Sequence, residues 1–218
     1  MKKEPVWLNV GCGVSLADRP FINVDNFFTL EDLKKGMGKK GSPFINARVP
    51  RGAKFVKADM CDLPFEDNSV DYIECNDAIE HISMLSVDKA LGQFYRVLKS
   101  GGKLGMSTTN FDELARLWTL NVTGNLFKTQ EDMDRYIMLA KIIYGNQAGE
   151  GEFHKVPFNP QFISYLLAKS GFKLENIVVH IFPTNSLDHM PQKAYKHHEK
   201  KLKGTIVLSE MMWVTAIK

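Results

Sequence analysis

Apolar residues in this chain come in short runs that end at glycine or at a single polar residue, and these runs alternate with stretches of helical periodicity. Trp7-Leu8-Asn9-Val10 stops at Gly11-Cys12-Gly13, and Ile22-Asn23-Val24-Asp25 follows after the connection Val14 to Phe21. Short runs of this kind, bounded by turn residues, predict strands buried in a sheet. The same signal predicts strands at Lys54 to Lys57, Tyr72 to Cys75 and Lys103 to Thr108, one within Phe172 to Phe182, and one within Thr205 to Ile217. The first connection falls short of the roughly dozen residues a parallel crossover needs, so its helix is expected to be a stub.

Val87, Leu91, Phe94, Val97 and Leu98 recur at helical spacing from Ser86 to Ser100, with Ser86 as the expected N-cap and Gly101-Gly102 as the stop. Asn159-Pro160 offers an N-cap followed by proline at the first helical position; Phe162, Ile163, Leu166 and Leu167 form the buried face, and Gly171 ends the helix. Two more helices are expected between Asn110 and Gly145. One opens with Asn110 and Glu113 at capping-box spacing; the other follows Thr129 and carries Met133, Ile137, Ala140 and Tyr144 on one face. A sheet needs only one crossover there, so the excess is expected to cap the carboxyl ends of the strands, over about residues 110–155. Gly145 to Pro157 is glycine-rich and a candidate lid. Phe28 to Lys54 reads as a loop-rich insertion with a helical turn at Leu30 to Lys35, and Pro183 to Lys203 as a polar stretch compatible with a basic helix.

Composition narrows this picture without naming a chemistry. At 218 residues, 44% hydrophobic and 24% charged, the chain suits one soluble globular domain spanning residues 1–218. Its net charge of +3 is too small a surplus to argue for nucleic acid or an anionic membrane. No run approaches the ~18 apolar residues of a membrane span. Cys12, Cys61 and Cys75 lack metal or redox spacing, so they read as free thiols in a reducing, cytoplasmic compartment.

Gly11 and Gly13 let the backbone turn sharply and approach a ligand, having no Cβ. Asp25 at the next strand end can accept from two vicinal ribose hydroxyls, or stand as a surface carboxylate. Asp59 could accept from an adenine amino group and Met60 could offer its backbone amide to the ring; a solvated turn is the other reading. Gly-Cys-Gly, Asp and Asp on three consecutive strand ends point together to a nucleoside site.

At these residues the sequence resembles the class I S-adenosylmethionine-dependent methyltransferases. LNVGCG looks like their glycine motif, INVD like the ribose-binding strand end, VKADMCDLPFEDNSVDYI like the adenine loop and following strand, and FYRVLKSGGKL like the helix and strand after the site. A small branch of that family begins with LN-GCG closely followed by INVD. The resemblance implies a Rossmann-like α/β fold, a doubly wound, mostly parallel seven-stranded sheet whose last strand, at Ser209 to Lys218, is antiparallel. It implies S-adenosyl-L-methionine as cofactor and S-adenosyl-L-homocysteine as product. Asn9, Gly11, Cys12 and Gly13 would lie toward the methionine and ribose portion, Asp25 on the ribose, Asp59 and Met60 on the adenine, and Asn76 beside the reacting methyl. Asn9 stands where the family has an acidic residue, and Ser15 where it has a third glycine. These departures leave room for a non-catalytic binding relative.

For an alcohol acceptor a base must take the proton, and histidine is the usual choice. His81 in AIEHI and His154 in the glycine-rich loop are the candidates, with Glu80 placed either to orient His81 or to face elsewhere. Structural readings stand beside these: helix-terminus and loop histidines, and Asn76 and Asp77 as caps of a helix beginning near Ala78. His180, His189, His197 and His198 have weaker claims, and no constellation demands a metal. Similarity of LNVGCG, INVD and HKVPFNPQFISYLLAKSGF to methyltransferases of surface-polysaccharide synthesis implies O-methylation of a sugar or glycan hydroxyl, with another small molecule as the alternative. A nicotinamide enzyme would want GxGxxG opening a full helix, which Gly13-Val14-Ser15-Leu16 lacks. A nucleic-acid methyltransferase would want an NPPY-type motif and a basic groove.

Overall fold

The structure, a computed structural model, describes residues 4–42, 44–121, 129–147, 149–181 and 211–218. Its strands are β1 (Trp7–Val10), β2 (Phe21–Asp25), β3 (Lys54–Lys57), β4 (Val70–Asn76), β5 (Leu98–Thr109), β6 (Ile177–Ile181) and β7 (Met211–Ile217). They form one seven-stranded sheet in the order β3-β2-β1-β4-β5-β7-β6. β7 is antiparallel to both β5 and β6, while the β1–β2, β1–β4, β2–β3 and β4–β5 pairs are parallel. The order reverses at β1, which puts the carboxyl ends of β1 and β4 at the switch point where open α/β sheets bind ligands.

Register explains why one face carries the main core, while the other holds only a smaller cluster around Phe28, Leu33 and Phe55. Leu8, Val10, Val24, Ile73, Cys75, Leu104, Met106, Val214 and Ala216 share a face and are almost fully buried. Against them pack helix α2 (Met84–Val97), through Val87, Ala90, Leu91, Phe94 and Val97, and helix α5 (Pro160–Lys169), through Ile163, Leu166 and Leu167. Burying each of the larger side chains contributes about 1.5–3 kcal/mol. The other face carries Trp7, Phe21, Tyr72 and Trp213 among polar residues. Its three aromatics Trp7, Phe21 and Tyr72 meet edge to face. The first connection is an irregular loop with no helix at all, and helix α1 (Leu30–Gly36) is seven residues long, held by a Thr29/Asp32 capping box. A groove of about 970 Å³ therefore lies over the middle of this second face, between β1 and β6.

The α5 expectation holds in detail: Asn159 Oδ1 accepts from the Phe162 amide at 2.8 Å, with Pro160 at the first position. The expected cap of α2 does not. Ser83, not Ser86, caps it, and the helix ends at Val97. Leu98 already pairs with Val70, so the chain passes from helix to strand without a loop. Gly101, at φ +77, and Gly102 instead exchange backbone hydrogen bonds with Lys218, beside a register shift in the β4–β5 pair. Helices α3 (Phe111–Asn121) and α4 (Gln130–Tyr144) occupy the segment where two helices were expected. The anticipated apolar face of α4 is, however, largely solvent-facing: Met133, Ile137 and Tyr144 are exposed, and it is Leu139 that is buried. The expected basic helix at Pro183 to Lys203, together with His189, His197 and His198, lies outside the described residues.

Candidate active site

Gly11, at φ +66, and Gly13, at φ +49, close a turn that few other residues could make. The Val24 carbonyl accepts from the amides of Gly11 at 2.8 Å and Cys12 at 3.2 Å, so the turn is clamped onto β2. A Cβ on Gly11 would collide with the Cβ of Ala78, which brings the end of β1 against the end of β4. Among the described residues nothing lies within 4 Å of where a Cβ on Gly13 would stand, so the turn presents bare backbone to them there. The Cys12 thiol is buried, and burial together with the nearby Asp25 charge pushes it well above its ordinary range; it is no nucleophile.

Asp25 is buried, and its two oxygens accept from different loop amides: Oδ2 from Gly13 at 3.0 Å and Oδ1 from Phe27 at 2.9 Å. Each carboxylate oxygen keeps a second lone pair. Asn9 does something else. Its amide nitrogen donates to the Ser15 carbonyl and to Asn23 Oδ1, and Asn23 in turn bonds both the amide and the carbonyl of Ala17. An amide donor can bridge two backbone segments where a carboxylate could not, so Asn9 and Asn23 together hold the helix-less first connection in place.

Asp59 is exposed and forms a local turn through the Cys61 amide, 2.8 Å from Oδ1, while its Oδ2 is 3.5 Å from the Asn26 amide nitrogen. The side chain of Met60 lies over Gly11. Beside these sits Phe27, 69% exposed, which the motif reading passed over. Its signal in the sequence was an aromatic two residues beyond the strand-ending Asp25.

At the end of β4, Asn76 donates to Glu74 Oε1 at 2.6 Å and accepts from Ser107, so it does not cap a helix. Asp77 does not cap one either. A single 3₁₀ turn, Ile79–His81, begins after Ala78 with no side-chain cap. Asp77 has φ +48, a conformation a non-glycine residue adopts only under local constraint, and it also accepts from the Ser107 hydroxyl. Glu80 is fully buried, and among the described residues neither of its oxygens is in regular hydrogen-bond geometry, although the Thr108 hydroxyl and the Thr109 backbone lie near enough to favour its charged form. Burial first, and then the Asp77 charge, raises its pKa, so it faces the interior as an acid and does not orient His81.

The two candidate histidines, 73 positions apart in sequence, meet: their rings are in T-shaped contact with centroids 4.7 Å apart. The loop that carries His154 is laced to the 3₁₀ turn by the Lys155 amide, which donates to the Glu80 carbonyl at 2.7 Å, and to the end of α4 by the His154 amide, which donates to the Tyr144 carbonyl at 3.0 Å. The same loop reaches the other side of the site, where Gly151 packs on the Phe27 ring. His81 Nδ1 lies 3.1 Å from the Phe153 carbonyl. A carbonyl can only accept, so Nδ1 carries the hydrogen and Nε2 the lone pair. Burial lowers the pKa of both rings, and the His81 ring further disfavours charge on His154. The pair is therefore neutral near pH 7. A cavity of about 460 Å³ opens beside His154 between the end of β5, α3 and the end of α4. Among the described residues there is no group of three metal-ligating side chains, and no helix long and apolar enough to cross a membrane.

Residues 8–106 match the family model described as a methyltransferase domain. Among curated relatives, an uncharacterised protein of Methanocaldococcus jannaschii is 29% identical over 145 residues, 66% of this chain and 59% of that one. A sterol 24-C-methyltransferase of Schizosaccharomyces pombe is 31% identical over 101 residues, 45% of this chain and 26% of that one. A ubiquinone/menaquinone biosynthesis C-methyltransferase of Psychromonas ingrahamii is 32% identical over 123 residues, 53% and 48%. The matches thus span from about a quarter to three fifths of these relatives' own length. In structure, a methyltransferase of Methanosarcina mazei superposes with TM-score 0.55 at 16% identity, covering 100% of this chain and 94% of that one. One of Archaeoglobus fulgidus does so with TM-score 0.54 at 14%, covering 98% and 86%. The superpositions show that the fold is shared with these methyltransferases, and the family match covers residues 8–106, from β1 into β5.

Proposed function

We propose that this chain transfers a methyl group from S-adenosylmethionine to a hydroxyl of a small-molecule acceptor, with His81 as general base. The reading takes residues 1–218 as one domain, with α3, α4 and the following loop as its cap over the site. The observation that carries it is the neutral histidine pair, in which His81 follows the end of β4 and offers its Nε2 lone pair, near the glycine turn that ends β1 with Gly11 and Gly13 and near Asp25 at the end of β2.

The residues present fit the cofactor. The bare backbone at Gly13 leaves room for the methionine and ribose portion, and the remaining lone pairs of Asp25 are placed to accept from vicinal ribose hydroxyls. Asp59 and Phe27 would hold the adenine by its edge and its face. When bound, the cofactor supplies an electrophilic methyl on a sulfonium. The chain's part is to align the acceptor oxygen in line with that methyl, to exclude water with the laced loop, and to take the acceptor proton at His81 Nε2. A glycan hydroxyl, implied by resemblance, is one acceptor of this class.

Calorimetry with S-adenosylmethionine tests the cofactor assignment. Asp25→Asn reverses one acceptor and removes the charge, which should weaken binding roughly 30- to 1000-fold, from about 2–4 kcal/mol for such a loss. Binding unchanged within threefold would overturn the ribose role, and absence of binding by the unaltered protein would overturn the whole reading.

A further inference from the structure

The cavity beside His154 is lined by the aromatic rings of Phe111, Trp118 and Tyr144 and by Leu114, Ile143 and Val156. The polar side chains on its lining, among the described residues, are two threonines, Trp118, Tyr144, His154 and Lys155; no carboxylate or carboxamide side chain lines it. A sugar ring needs many directed partners, and one that lacks them loses the hydration of each hydroxyl without compensation. A flat apolar ring loses little water and gains contact with every wall.

Resting on the methyltransferase reading above, we infer that the acceptor is a phenol: a flat aromatic ring held in this cavity, with its hydroxyl turned toward the histidine pair. The chemistry of the base agrees. A phenol ionises near pH 10, whereas a water-like hydroxyl ionises near 15.7, so the phenol is roughly five to six orders of magnitude more acidic. Taking the proton from the former is a much smaller uphill step for a neutral histidine than taking it from the latter. Lys155 lines the same cavity and offers its cation to the charge that develops on oxygen. In the step, the phenolic oxygen forms the new bond to the methyl carbon while the carbon–sulfur bond breaks and leaves its electron pair on sulfur. The phenolic proton goes to His81 Nε2.

Ala115 lines the cavity from α3 and is solvent-exposed, so Ala115→Phe fills the space without touching the cofactor turn. Equilibrium dialysis with naphthol, in the absence of methyl donor, should show binding to the unaltered protein and at least tenfold weaker binding to Ala115→Phe. With S-adenosylmethionine added, mass spectrometry should find methyl naphthyl ether and no methylated product from methyl glucoside or a nucleotide sugar. Calorimetry should give both proteins the same S-adenosylmethionine affinity within twofold. If that affinity is normal but naphthol does not bind, or binds Ala115→Phe equally well, or the sugars are methylated in its place, the phenol inference is wrong. If S-adenosylmethionine fails to bind the unaltered protein, the methyltransferase reading falls first.

Discussion

Replacing Gly11 by alanine tests whether the ends of β1 and β4 are wedged together as the site requires. Gly11 sits at φ +66, where an alanine costs about 1–2 kcal/mol from its Cβ alone. That Cβ would also strike the Cβ of Ala78, with Met60 Cε 3.4 Å away on another side. Ala78 is 6% exposed and anchored between the end of β4 and the 3₁₀ turn, so the collision behaves as overpacking, about 1–3 kcal/mol. The sum is about 2–5 kcal/mol, a melting temperature lower by about 4–20 °C for a domain of this size. Ala78→Gly by itself should cost only about 0.5–1 kcal/mol. Combined with Gly11→Ala it should remove the collision and leave the left-handed backbone penalty, so the two changes should couple favourably by about 1–3 kcal/mol. Urea unfolding followed by circular dichroism on the four proteins of the cycle measures this directly. Coupling below about 0.5 kcal/mol would mean that the glycine turn does not rest on the end of β4, and the reason given for Gly11 would be wrong.

His81→Gln should lower kcat/KM by roughly 10²- to 10⁴-fold and abolish the acidic limb of the pH–rate profile. Because burial lowers the His81 pKa, that limb should lie below the ordinary histidine value of 6.5; His154→Gln should keep it, and a limb that survives His81→Gln assigns the base elsewhere. Glu80→Gln should stabilise the protein increasingly as pH rises. Below the ordinary glutamate value of 4.5 both states are protonated and the two proteins differ little; above it the unfolded chain ionises while buried Glu80 resists, so the native state loses stability that glutamine would retain. A melting-temperature difference that stays flat from pH 5 to pH 8 would show that Glu80 titrates normally in the fold. The same melts on Glu80→Gln, which removes the opposing Glu80 contribution, should show stability falling as pH drops below 6.5, since the unfolded chain protonates histidines that the folded one keeps neutral.

Strand positions, α5 and its Asn159-Pro160 start, and the residues Gly11, Gly13 and Asp25 at strand ends were legible in the sequence because each rests on local chemistry. Alternation of apolar residues, a cap, or a φ that only glycine tolerates is written into a few neighbouring positions. The end of α2 at Val97 and the glycine bulge at Gly101 were not, because pairing of Leu98 with Val70 decided where the helix had to end, and that pairing joins distant segments. The apolar face of α4 misled for a related reason: periodicity shows that a helix is amphipathic but not which neighbour it meets.

What the sequence determined by itself is where the strands fall and which residues their carboxyl ends carry. Only the tertiary structure decided that Asn9 holds the short first connection, that Gly151 packs on the Phe27 ring, that Glu80 turns inward, and that His81 and His154 share one contact. Those facts depend on hydrogen bonds and packing between segments far apart in the chain, where no local pattern of residues encodes the distance.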